Sequence, residues 1–204
     1  MTVPSISSDR GQAFPIYIMS VGILLFVAFA LFVFAQAASA RSGGQSAADA
    51  AALAAAQESR DEYTENFFRD IVDPEAWPLW LLGEGEVASG AAGAAALANE
   101  NDSNLTAGPT LTRDSGFPAR TVTIQTRFTG GDSVVPGIET QTAQASARAV
   151  IKPRCFIGPE SDPTKLVFVH CKDGEIWKID PKEIVNLPGL LPEPKDLFDV
   201  HLVQ

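Results

Sequence analysis

The sequence predicts an α+β protein with a single N-terminal transmembrane helix, an alanine-rich helical stalk and a small antiparallel sheet domain outside the membrane. Three observations predict it. Residues 14–35 form an uninterrupted run of 22 residues without a charge. Residues 47–56 contain eight alanines in ten positions. Beyond residue 120, apolar and polar residues alternate with the period of a strand, and Asp173-Gly174 marks a hairpin turn.

The charge distribution separates the first element from the rest. The chain has 204 residues and a net charge of −10, yet Asp9 and Arg10 are the one acid and the one base among the first 40 residues. The remainder carries the whole negative balance, which repels nucleic acid and excludes it as a partner. Two cysteines cannot by themselves make a four-ligand zinc site or a disulfide-dense scaffold, and two histidines leave little room for histidine-based chemistry.

The run Phe14 to Ala35 is rich in Leu, Ile, Phe, Val and Ala, and about 20 such residues cross ~30 Å of hydrocarbon. Pro15 falls at the first turn, where a missing N–H breaks no helical bond. Tyr17 suits the membrane interface. A cleaved signal peptide is the competing reading, with small-residue sites at Ala35-Gln36-Ala37 and Ala38-Ser39-Ala40. The run exceeds the usual ~7–15 residues of a signal core, so a permanent anchor is expected. The flanking bases Arg10, Arg41 and Arg60 orient it weakly. Both cysteines lie C-terminal to the span and suit an oxidising exterior. The expected location is therefore the plasma membrane, single-pass, with the N-terminus cytoplasmic and the C-terminal domain extracellular.

The expected organisation is a cytoplasmic N-terminus over 1–13, a transmembrane helix over 14–38 and an extracytoplasmic helical stalk over 39–73. An irregular region with a short helix over 74–116 follows, then an antiparallel β-rich domain with a proline-rich tail over 117–204. The stalk is built on alanine, the best helix former. Tyr63, Phe67, Phe68, Ile71 and Val72 recur at helical steps until Asp73-Pro74 stops them. Gly43-Gly44 is either a hinge or a point through which the two helices run as one rod.

The order Arg10-Gly11, then an apolar span, then Gln45-Ser-Ala47-Ala48-Asp49-Ala-Ala-Ala-Leu53 resembles the N-terminal signature of the TadE/TadG-like proteins of tight-adherence, Flp-type pilus assembly, in particular actinobacterial members. The resemblance covers residues 9–60. It implies a membrane-anchored structural or assembly component without catalysis, whose partners are the lipid bilayer and other pilus-assembly or pilin-like membrane proteins, with oligomerisation left open. Ile16 stands five residues beyond Gly11, where pilin-like members carry a glutamate, so the resemblance is to unprocessed TadG-like members. A second reading is a membrane-tethered binding module of the cell envelope with no role in pili, contacting its ligand through the Trp77–Trp80 knot and the C-terminal tail.

In the outer domain, Trp77-Pro78-Leu79-Trp80-Leu81-Leu82 reads as an apolar knot that proline keeps from being a regular helix interior. Residues 87–99 suit a short helix. Val122, Ile124 and Phe128 alternate with polar residues, as do Ala143, Ala145, Ala147 and Ala149. A sheet face of methyl groups buries little by itself, so Ala47–Ala56 is expected to pack closely on it. Residues 166–171 and 175–179 form the hairpin, and 197–203 adds an edge strand. Cys155 and Cys171 fall on adjacent strands. A disulfide there would contribute ~3 kcal/mol in the chain-entropy model, and two free thiols are the alternative. His170 next to Cys171 cannot share a proton with it on a strand, since neighbours face opposite sides. Asp199 and His201 read as strand residues. No motif for a cofactor, a metal or catalysis emerges from the sequence.

Overall fold

The computed structural model describes residues 13–129, 142–184 and 191–203. Helix α1 runs unbroken from Ala13 to Arg69, 57 residues and about 85 Å at 1.5 Å per residue. Gly43-Gly44 is therefore not a hinge. A Cβ added at Gly43 would lie 3.0 Å from the Phe128 ring, and one at Gly44 would lie 3.3 Å from Thr126 Cγ2 and 3.4 Å from Ala143 Cβ. The pair gives up about 1 kcal/mol of helix propensity per glycine and in exchange brings a sheet against the helix backbone.

That sheet has four antiparallel strands in the order β1-β2-β3-β7: β1 Ser103–Asp114, β2 Phe117–Thr129, β3 Thr142–Pro153 and β7 Phe198–Val203. The inward register Val122, Ile124, Ala147 and Ala149 is buried. It meets Ala47, Ala48, Ala51, Ala52, Ala55 and Ala56, each fully buried. Helix α3, Ala91–Glu100, packs beside α1 through Ala94 and Ala98. The alanine run is thus held by the sheet and by a second helix, and it is part of the domain core rather than a projecting stalk. Methyl-lined surfaces let backbones approach closely; most of the bulky core lies at the distal end, where Tyr63, Phe67, Ile71 and Phe198 are buried. The outer face of the sheet is polar. Thr112 and Thr121 hydroxyls lie 3.0 Å apart, Thr123 and Ser146 2.8 Å apart, and Gln125 donates to Thr142 Oγ1 at 2.7 Å, as befits an antiparallel sheet with one solvated face.

Three local expectations change. Residues 103–114, expected as irregular, form β1. It is an edge strand with few buried positions, and its register shifts twice around Ala107, so no clean alternation betrays it. Pro78 does lie inside a helix, α2, Ala76–Leu81, but in its first turn, where its missing N–H would have had no partner. α1 ends at Arg69 rather than at Asp73. Trp77 Nε1 donates to the Ile71 carbonyl at 2.8 Å and Trp80 Nε1 to the Asp70 carboxylate at 2.9 Å, which folds the chain back over the end of the rod.

The remaining strands, β4 Cys155–Ile157, β5 Val167–Cys171 and β6 Ile176–Ile179, form a second antiparallel sheet. Cys155 opposes Cys171 in register, and the two are joined in a disulfide. A short helix α4, Pro194–Leu197, leads into β7, which pairs at the edge of the main sheet with β3.

Candidate functional site

Helix α1 carries two surfaces of opposite character along one axis. From Phe14 to Phe34 nearly every large apolar side chain is exposed, with Phe34 at 74% and Phe26 at 72%. An 18-residue window here reaches a mean hydropathy of 2.8 with none of it buried. Among the described residues, one helix is long and apolar enough to cross a membrane. Its Ser20 hydroxyl donates to the Ile16 carbonyl at 2.8 Å, so this polar side chain is satisfied within the helix. The second half, from Gly43 onward, is locked into the folded domain.

The residues singled out in the sequence divide accordingly. Arg10 and Gly11 lie outside the described residues. Ala47 and Ala48 are fully buried, and Leu53 is partly buried against the same core. Gln45 and Asp49 lie one turn apart on the flank of the helix. Gln45 Nε2 donates to Asp49 Oδ1 at 2.8 Å and reaches the Ser146 carbonyl of β3 at 3.5 Å. Together with Ser146, Ala147, Arg148 and Leu202 they line an open groove of about 560 Å³ between α1 and the sheet edge. Trp77 and Trp80 are buried and so hold the fold rather than offer a contact surface.

One structural group escaped the sequence reading. Arg120 is 4% exposed. Its Nε donates to Ser59 Oγ at 2.8 Å and its Nη2 to the Ala88 carbonyl at 2.8 Å. Glu62 accepts from the Ala88 N–H at 2.7 Å. Burial lowers the Arg120 pKa and raises that of Tyr63 beside it. The cluster ties the segment before α3 to α1 and β2. Its signal was in the sequence: extending the inward register Val122, Ile124 back by two positions puts Arg120 on the buried face.

His170 Nε2 lies 2.6 Å from Glu160 Oε1 and His201 Nδ1 3.0 Å from Asp199 Oδ2; the sulfur of the neighbouring Cys171 is committed to the disulfide. Among the described residues, no group of three or more His, Cys, Asp or Glu is placed to hold a metal ion.

An exposed apolar half-helix continuous with an alanine-packed half is the arrangement that a comparison with known families can test. Residues 11–58 match the family described as putative Flp pilus-assembly TadE/G-like. No curated protein and no solved structure matches the chain. The TadE/G-like segment ends within the packed half of α1, so it takes in both surfaces of the helix and includes Gln45, Asp49 and the buried alanines. The sheets, α2, α3 and the disulfide lie beyond it. The family match suggests a protein related to Flp pilus assembly, whose interactions are with other pilus and membrane proteins; the family is in general structural and non-catalytic.

Proposed function

We propose that this chain is a single-pass, membrane-anchored structural component of a Tad (Flp-type) pilus or related secretion system, acting through helix packing and protein–protein contacts. The observation that carries the reading is the exposed apolar half of α1, continuous in one helix with the folded domain and lying within the TadE/G-like segment. Burying about 20 apolar residues fixes the N-terminal half in lipid. Because the helix does not break, the orientation of the anchor in the bilayer sets the orientation of the domain. The N-terminus lies in the cytoplasm and the domain outside, where an oxidising environment sustains the disulfide. Lateral packing in the membrane then rests on van der Waals fit between helices, with small residues such as Gly22 and Ala28 allowing close approach.

The test joins topology to phenotype. Intact cells treated with protease should lose the domain, leaving a membrane-embedded fragment that ends beyond residue 38, and deletion of the gene should abolish surface pili. Leu25→Arg, at the middle of the span, raises the insertion free energy by about 3 kcal/mol and should lower the membrane-extracted fraction. Full-length protein recovered from the cytosol without detergent, or normal piliation in the deletion strain, overturns the reading.

A further inference from the structure

We propose that the apolar groove between α2 and β4 docks a segment of another protein in which one large apolar side chain is flanked by Lys or Arg. The proposal goes beyond the assembly reading above and stands on a different part of the molecule.

The groove lies where the end of α1 is folded over. Trp77, Pro78 and Leu82 line it from one face of α2, with Pro74 just ahead of the helix, and Phe156 and Ile157 of β4 stand opposite. Trp77 is 7% exposed and forms the floor, and its indole N–H is spent on the Ile71 carbonyl. The rim is open: Leu82 is 48% and Phe156 59% exposed. The volume is about 240 Å³, below the ~300–1,000 Å³ of small-molecule pockets. An apolar space of this size suits one side chain of a docked segment.

The charges around the groove select what flanks that side chain. Residues 70–86 contain five acids, Asp70, Asp73, Glu75, Glu84 and Glu86, and no base. Asp73 and Glu75 bracket Pro74, Glu84 stands two residues beyond Leu82, and all three are exposed. Among the described residues none of these three is ion-paired. The cations on either side are already committed. Arg69 pairs with Asp70 at 3.2 Å, and Arg154, which precedes β4, pairs with Asp173 at 3.1 Å. His170, stacked on Phe156, lies 2.6 Å from Glu160. The surroundings are therefore net negative, and positive charge beside the apolar anchor is the complement that steers a partner and fixes its register.

The same charges disfavour two other occupants. A second copy meeting this face with its own would set acid against acid across a self-complementary contact. An anionic lipid surface would be repelled as well. It is also distant in the anchored reading: the Trp77 and Trp80 indoles hold α2 to Ile71 and Asp70, and Arg69 lies about 50 Å beyond Ala35 at 1.5 Å per residue.

The test is photocrosslinking of the full-length chain in its native membranes, with p-benzoylphenylalanine in place of Phe156 and the adduct sequenced by mass spectrometry. The expected adduct is a segment of another protein that carries a large apolar side chain beside Lys or Arg. Reversing three exposed charges together, Asp73→Lys, Glu75→Lys and Glu84→Lys, should lower its yield at least tenfold while leaving the urea midpoint of the purified chain unchanged. Leu82→Glu separates docking in the groove from charge attraction alone. It adds an acid, so attraction alone would raise the yield, whereas loss of the apolar rim should lower it at least tenfold. The proposal is overturned by no adduct, by an adduct with lipid, with the chain's own residues, with a second copy or with an acidic segment, and by a yield that survives charge reversal. The membrane fractionation and deletion phenotype decide the assembly reading independently.

Discussion

Gly90 offers a direct test of how closely α3 and α1 approach. It begins α3 in the left-handed conformation with φ +74°. A Cβ placed there would lie 2.4 Å from the Ala55 carbonyl oxygen and 2.6 Å from Ala55 Cα. Both are backbone atoms of Ala55, a fully buried residue of α1, so neither yields as a side chain would. Gly90→Ala therefore carries two penalties. The left-handed conformation costs a residue with a Cβ about 1–2 kcal/mol, and relieving the overlap forces α3 outward, an overpacking penalty of about 1–3 kcal/mol. The sum is about 2–5 kcal/mol. Gly116 supplies the control, because it has φ +89° and nothing within 4 Å of an added Cβ. Gly116→Ala should show the conformational penalty alone, about 1–2 kcal/mol. Urea unfolding of each full-length variant in detergent, followed by tryptophan fluorescence, measures the difference. Equal destabilisation of the two variants would refute the close packing of α3 on the alanine face.

Three further outcomes follow from the same packing and electrostatics. Ala51→Leu, at a fully buried position of α1, should destabilise the domain by about 1–3 kcal/mol through overpacking, measured by the same unfolding assay; unchanged stability would mean that the sheet does not sit on the alanine stripe. Replacing Cys155 and Cys171 together by serine should remove about 2–4 kcal/mol of stability, and adding reductant to the native protein should lower its urea midpoint comparably, whereas the double variant should not respond to reductant. Hydrogen bonds from Thr164, joined by Lys165, hold the Asp162 carboxyl down to about 2. Because its folded pKa lies below the ordinary value of 3.8, its stabilising contribution is present above pH 4 and is lost as pH falls toward 2. An NMR titration should place its midpoint near 2, and Thr164→Ala should move it up.

The sequence by itself determined the parts of this protein that follow from runs and periods. Twenty-two uncharged residues specify an apolar helix whatever surrounds them, because no compact domain of this size could enclose its whole circumference. Alternation in 121–128 and 142–149 and the Asp173-Gly174 turn specified strands that need only a neighbour on one face. Tertiary structure decided the rest, because those features depend on atoms distant in the chain. Gly43-Gly44 is compatible with a hinge or a close contact until Phe128, Thr126 and Ala143 are brought against it. β1 exists because β2 lends it a ladder, which its own sequence does not announce. Arg120 becomes a buried clamp only once Ser59 and Ala88, 61 and 32 positions away, converge on its guanidinium.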